Sequence, residues 1–417
     1  MSSVPYVEDF FVVNRWILRC AGLWRPETKN KTIQLLYTGY ATGIFLFVNV
    51  FFTFTEFLSL IYTYNNEYDL IKNVSFALTH LMGAVKVIFF YFQGNNLIKI
   101  MTTLESAELH YENSFEREFF PGLISRTYKK EGIKYTLLFF MLAHATLISS
   151  YIPPTIAALQ YEEGNPRKTL PEKLPYYSWM PFRCATSTTY LIALGYQAIP
   201  MFSYAYSIVG MDTLFMNIMN CIGMNLDIIQ GAFATLRERS VEKTTGPLLT
   251  PDGLYNSQDL KIILNQEMKK VCRHLQTVYK VCEDLENIHT FLTLSQTTAT
   301  LFILCSCLYL VSTTPASSKQ FLAEIVYMIA MGFQLILYCW FGNEVTLKAD
   351  NMPFYIWQCD WITADSEFKR AMIFTMVRAK RPLRLTAGKF APLTLGTFIA
   401  IIKASYSFYT VIKNTSD

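Results

Sequence analysis

The segment TFIAIIKASYSFYTVIKNTSD, residues 397–417, decides how the chain is read. Its apolar residues run far enough to cross a bilayer, which takes about 20 residues of helix. Yet Lys403, Ser405, Tyr406, Ser407, Tyr409 and Thr410 are spread through it. A helix bathed in lipid on every side would not carry so many polar groups, because each is costly in hydrocarbon unless paired. The segment therefore reads as a span packed against protein or lining water.

Six more apolar segments precede it: 33–62 (broken by Glu56), 71–93 (with Lys86), 135–159 (ending at Pro153-Pro154), 185–211, 288–312 and 320–342. With 390–412 they make seven spans in an all-α polytopic membrane protein. Composition agrees, since 52% of the 417 residues are apolar and only 16% charged, where a soluble domain carries about 25%. Lys and Arg number 5, 5, 8 and 8 in the alternate segments 1–32, 94–133, 212–287 and 344–389, against 0, 3, 1 and 1 in the other connections. The basic side faces the cytoplasm, so the N-terminus is expected inside and the C-terminus outside. That is the reverse of a G-protein-coupled receptor, and the Asp-Arg-Tyr and Asn-Pro-x-x-Tyr signatures of that class are missing. On this topology the sequons at Asn73 and Asn414 face outward and are expected to be glycosylated, while Asn30 is hidden inside.

Residues 257–292, SQDLKIILNQEMKKVCRHLQTVYKVCEDLENIHTFL, place Leu264, Met268, Val271, Leu275, Val278, Cys282 and Leu285 at alternating spacings of 4 and 3. This heptad seam predicts a helix that runs from the cytoplasm directly into the fifth span. The seam either ties subunits together or docks inside its own chain. Ahead of it, TTGPLLTPDGLYNSQD (244–259) is a turn-rich region. Near the N-terminus, Val7, Phe10, Phe11, Asn14 and Leu18 share one helical face, which suits a helix at the membrane surface or one packed on the core. A second amphipathic stretch, Phe368–Arg378, carries Phe368, Met372 and Met376 and stops at Arg381-Pro382.

No histidine has a partner at metal-ligand or catalytic spacing, and no GxSxG, HExxH, GxGxxG or phosphate loop is present. An enzyme, a metal site, a bound cofactor and a nucleic-acid partner are therefore not expected. The nine cysteines lie mostly in apolar or basic segments and read as free thiols. The two halves show no echo of each other, as a secondary transporter would.

The C-terminal stretch 355–412 orders several elements: Tyr355 and Trp357, Arg378-Ala-Lys-Arg-Pro382, Leu385-Thr-Ala387, Thr397-Phe398 and Lys403-Ala-Ser-Tyr-Ser-Phe-Tyr-Thr410. That order resembles the C-terminal signature of insect odorant receptors, and the length, seven spans and inverted orientation extend the resemblance over the chain. The resemblance implies a tetrameric, odorant-gated, non-selective cation channel in the plasma membrane of sensory neurons. It implies subunits joined at a cytoplasmic anchor and last helices that line one pore. It further implies odorant-specific subunits working with a shared co-receptor; the short loop between spans four and five makes this chain look like the odorant-specific kind. Gustatory-type channels share the architecture, and a metabotropic chemoreceptor is the other alternative.

On that resemblance the chain divides into a cytoplasmic segment 1–32, helices one to six over 33–343 with anchor helices within 212–287, an anchor segment 344–389, a pore-lining helix 390–412 and an outer tail 413–417. The implied pocket for a small volatile odorant lies between spans two, three, four and six. Candidate walls are Phe89 and Phe92 in span two, and His144, Ile148 and Tyr151 in span three. Span four adds Tyr204 and Ile208, and span six Tyr327 and Met331. His144 could donate to an ester or carbonyl oxygen. Subunit-anchor candidates are the seam residues with Phe368, Met372 and Met376. On the last helix Ile402, Tyr406, Tyr409 and Lys413 lie within about 40° of one direction, with Tyr409 the expected gate. Lys403 lies about 100° round the helix from them; four lysines around a cation pore would repel its ions, which favours a heteromer.

Overall fold

The computed structural model describes residues 9–106, 109–114, 117–162, 169–171, 173–180, 182, 184–244 and 258–416. Val7 and most of the 244–259 turn region lie outside the described residues. Seven helices are long and apolar enough to cross a membrane. The first joins α2 (Lys31–Ile44) and α3 (Thr53–Thr63) through a π-helical stretch, Phe45–Phe52. The others are α4 (Glu67–Leu104), α5 (Pro121–Leu159), α6 (Ser187–Ala234), α8 (Gln258–Thr313), α9 (Lys319–Trp357) and α11 (Leu395–Ser416). Short helices α1 (Val12–Cys20), α7 (Leu236–Glu242) and α10 (Ser366–Ala379) complete the described helices.

Side-chain caps start several of these helices. Asn30, Asn66, Thr186, Ser318 and Asp365 each accept from a backbone N–H of the first turn, satisfying a donor that the helix itself leaves open. Helix α6 is the axis of the bundle: 94% of its most apolar window is buried. Its polar residues are paired rather than exposed. Asn217 donates to Asn14 Oδ1 at 2.8 Å and to Thr136 Oγ1 at 3.0 Å, and Asn14 donates to Thr213 Oγ1 at 2.9 Å. These bonds hold α1 on α6, with Phe11, Ile17 and Leu18 fully buried. The N-terminal helix is thus packed on the core; only Val12 and Trp16 of its large apolar residues turn outward.

The heptad helix and the fifth span are one element, since α8 runs unbroken for 56 residues, about 84 Å at 1.5 Å per residue. Its seam residues Leu264, Met268, Val271, Leu275, Val278 and Leu285 are buried within the same chain, in one core with α6, α9 and α10. Phe368 and Met372 are buried in that core too, and Met376 packs against it. The expectation that these side chains bind another subunit is corrected on this point: their apolar area is already spent inside the chain. A heptad pattern records that one face is dry, not which neighbour keeps it dry.

The last span begins at Leu395 rather than at 390, because a two-residue hairpin precedes it. Thr386–Ala387 pairs antiparallel with Ala391–Pro392, and Gly388 turns at φ +67°, where a side chain would be strained. Glu286 of α8 accepts from Thr386 N at 2.8 Å and so ties the hairpin to the long helix. The sequon Asn73 also needs correction. It lies inside α4, 1% exposed, with its amide donating to Ser59 Oγ at 2.8 Å and Thr63 Oγ1 at 3.1 Å. That nitrogen has no room for a glycan; Asn414 is exposed.

Candidate functional site: a buried aromatic cavity

A cavity of about 80 Å³ lies between α4, α5, α6 and α9. Helix α4 contributes Phe76, Thr79 and His80, and α5 contributes Phe139, Ala143, Thr146 and Leu147. Tyr204, Ile208 and Met201 come from α6, and Tyr327, Met331 and Gln334 from α9, with Tyr176 added from the α5–α6 loop. The rings form a continuous wall. Phe76 meets Tyr176 edge-on and Tyr327 at a tilt, both at 4.8 Å between centroids, and His80 stacks on Tyr204 at 4.5 Å. Such a wall offers dispersion contacts to a ligand of any orientation.

Few polar groups interrupt it, and those few are held. Thr79 Oγ1 and Tyr327 OH are 2.6 Å apart. Tyr204 OH donates to Val48 O at 3.0 Å and also meets Thr53 Oγ1. His80 Nδ1 lies 2.8 and 2.9 Å from the two oxygens of Glu56, which is itself 1% exposed. Below the cavity, Gln334 and Tyr338 donate to Asp212, the latter at 2.7 Å, while Lys86 Nζ sits 2.6 Å from Asp212 Oδ1. The contact is a buried ion pair. It clamps α4, α6 and α9 together where the cavity ends.

A larger, open vestibule of about 590 Å³ lies next to the cavity, at the end of the bundle where α4 and α9 begin. Asp69, Lys72, Lys173, Tyr177, Ser149 and Ser150 are among its lining residues. Pro175 and Tyr177 line the vestibule while Tyr176 lines the cavity, so this loop forms the partition between the two. Tyr177 OH donates to Asp69 Oδ1 at 2.6 Å, and Lys173 pairs with the same carboxylate. Burial pushes the Tyr176 phenol above its ordinary pKa.

Of the wall residues expected from the sequence, Tyr204, Ile208, Tyr327 and Met331 line this cavity. The rest do not, and each is corrected for a geometric reason. Phe92 faces outward at 79% exposure. Phe89 lies further along α4, edge-on to His289 at 5.0 Å. On α5 the stripe that faces the cavity is Phe139, Ala143, Thr146 and Leu147; His144 and Ile148 each follow a stripe residue and so sit about 100° round the helix. His144 instead bonds Phe140 O at 2.8 Å and packs on Phe140, Phe202 and Tyr206. Tyr151 stands behind the wall, 5.7 Å from Tyr176.

Phe76, Thr79, His80, Phe139 and Tyr176 escaped the sequence reading. One signal for His80 was present: Glu56 is a carboxylate inside an apolar span, and a buried acid needs a partner. On α11, Phe398, Ile401 and Ser405 form the packed edge, with Ser405 Oγ donating to Leu301 O at 3.0 Å. Ile402, Lys403, Tyr406 and Lys413 are exposed, and Tyr409 is half-buried, 5.9 Å from Tyr406.

The profile of the 7tm Odorant receptor family matches residues 67–406. Odorant receptor Or1 of Anopheles gambiae is 23% identical over 429 aligned positions, covering 97% of this chain and 95% of that protein. Odorant receptor 33a of Drosophila melanogaster is 22% identical and covers 86% and 89%. Among solved structures, the olfactory receptor OR5 of Machilis hrabei matches with a TM-score of 0.69 at 15% identity, over 97% of this chain and 99% of that one. The same receptor in complex with eugenol matches with a TM-score of 0.72 at 16% identity. Helix count and shared architecture define a multi-pass, seven-helix membrane fold. The chain belongs to the 7tm odorant receptor family.

Proposed function

We propose that this chain is the odorant-binding subunit of a ligand-gated, non-selective cation channel, working as a heterotetramer with odorant-receptor co-receptor subunits in the plasma membrane of sensory neurons. The observation that carries the reading is the aromatic cavity, with the 175–177 loop between it and the larger vestibule. A volatile ligand has little charge, so its affinity must come from dehydration and dispersion against such walls. The charge-derived orientation puts the vestibule and the Asn414 sequon outside, and makes the vestibule the route of entry. The receptor from Machilis hrabei solved with eugenol supports the ligand class.

The exposed side of α11 supports the pore role: only 6% of its most apolar window is buried. Tyr409, with Tyr406 and Ile402, forms the constriction, which closes by excluding water. One Lys403 among co-receptor helices is tolerated; four are not. Ile373, Phe374 and Val377, all more than half exposed on α10, take over the subunit contact that the seam residues cannot make.

The test is to record fast cation current with and without co-receptor, over a panel of volatiles, with G-protein signalling blocked. Current only on co-expression is expected, and Met331→Trp, which fills the cavity, abolishes it at unchanged surface expression. A normal current from the chain alone removes the heteromer, and a response lost to the block favours a metabotropic receptor.

A further inference from the structure

The pairing of His80 with Glu56 fixes what the cavity can say to a ligand. Both side chains are buried, at 5% and 1% exposure, and they come from α4 and α3. Two further ion pairs of the bundle, Lys72–Glu324 and Lys86–Asp212, are each already balanced. No third charge therefore offsets the Glu56–His80 unit, and a net charge of −1 in that apolar setting is strongly disfavoured. Two neutral arrangements remain. In one, a carboxylate accepts from Nδ1–H of an imidazolium, which keeps its second proton on Nε2. In the other, a carboxylic acid donates to Nδ1 of a neutral ring, whose single proton is then on Nε2. Both put an N–H on Nε2.

That nitrogen makes no hydrogen bond among the described residues, and His80 lines the cavity. Four hydroxyl protons of the wall, those of Tyr204, Thr146, Thr79 and Tyr327, are already committed. Tyr204 donates to Val48 O, and Thr146 donates to Leu142 O. Thr79 donates to Ser75 O, which leaves Tyr327 to donate to Thr79. Gln334 is held at the floor by Asp212 and Gln296.

We propose that the cavity selects ligands bearing a carbonyl oxygen, such as ketones, aldehydes or esters, through a hydrogen bond donated by His80 Nε2–H. The role first assigned to His144 on sequence grounds thus falls to a histidine one span earlier. The inference rests on the inner cavity being the odorant site. A carbonyl loses more hydration than an alkene on entering such a site, so without the donor the alkene binds better.

The probes are 2-pentanone and its shape-matched alkene 2-methyl-1-pentene, applied to the chain co-expressed with co-receptor. In wild type the ketone is expected to be more potent by between about threefold and about tenfold, the span of one net hydrogen bond. In the double variant Glu56→Leu/His80→Phe, which strands no charge, the ratio falls to one or inverts while the alkene remains an agonist. His80→Gln, which keeps an N–H donor, retains the ketone preference. Equal potency in wild type, or a preference surviving in the double variant, overturns the proposal; if the double variant is silent, the wild-type ratio decides. Met331→Trp separates the two levels. Volatile responses that survive it remove the cavity as the site, whereas responses it abolishes, together with a wild-type ratio of one, remove only the donor.

Discussion

Lys86 and Asp212 are each 1% exposed and 2.6 Å apart. At that distance their attraction is about 6 kcal/mol for an effective dielectric of about 20, and it offsets a desolvation penalty of several kcal/mol per ion. The pair as a whole is near neutral for stability, but each half alone is not. Lys86→Met leaves Asp212 charged with two neutral donors, Tyr338 and Gln334, so a loss of about 3 kcal/mol is expected, the lower end for a broken buried pair. Asp212→Asn keeps an acceptor for Tyr338 but strands the ammonium, which has no other ion-pair partner among the described residues. Its loss is expected nearer about 5 kcal/mol. The double variant removes both charges and should cost only about 1–2 kcal/mol, giving a coupling of about 6–7 kcal/mol, close to the Coulomb attraction and well above the roughly 3 kcal/mol usual for touching residues. The fraction folded in mixed detergent micelles, titrated with SDS, measures each corner of the cycle. Additivity within about 0.5 kcal/mol, or a Lys86→Met variant as stable as wild type, refutes the reasoning.

Three more outcomes can be checked. A Cβ at Gly83 would lie 2.9 Å from Tyr204 Cδ1 and 3.3 Å from Ile208 Cγ1. Tyr204 is pinned by its bond to Val48 O, so Gly83→Val is expected to cost about 1–3 kcal/mol in the same titration and to shrink the cavity, raising the half-maximal ligand concentration. Asn73→Gln is expected to leave the glycosidase-induced gel shift unchanged; a shift that disappears in this variant contradicts the buried amide. Asp365→Ala removes an acceptor for Phe368 N and Asn265 Nδ2, both at 2.9 Å, and should lower stability by about 1–2 kcal/mol. The Phe368 N–H holds the Asp365 carboxyl below its ordinary value of 3.8. A depressed carboxyl stabilises above its unfolded pKa and loses that contribution as pH falls through the folded value. The wild-type advantage over Asp365→Ala should therefore be constant at neutral pH and shrink only in acid below about pH 4.

Much of the architecture is written in local pattern. Runs of apolar residues about 20 long, the alternating density of Lys and Arg, and the 4–3 repeat from Leu264 to Leu285 depend only on the chain's own periodicity, and the seven long helices with a continuous α8 follow from them. The candidate site was legible in part. Tyr204, Ile208, Tyr327 and Met331 line the cavity because their spans, taken whole, flank it. Rotation about each helix axis was not legible, since in a bundle buried on several sides the apolar residues are spread round the helix; α4, α5 and α6 show almost no preferred face. A 100° turn separates His144 from Ala143, and only the packing of α5 on α6 says which of them meets the cavity.

The sequence by itself determined that the chain crosses the membrane in helices, how many, and that the long seam has a dry face; helix starts were less legible, since α5 begins at Pro121 rather than 135. Tertiary structure alone decided what that face lies against, which is the chain's own core, built with α4, α6, α9 and α10. It also decided that Glu56 finds His80, Lys86 finds Asp212, and Asn73 turns inward to Ser59 and Thr63. The physical reason is common to all of them. Hydrophobicity is a property of each residue and accumulates along the chain, whereas the partner of a buried polar group is set by helix rotation and depth, which many distant contacts fix together.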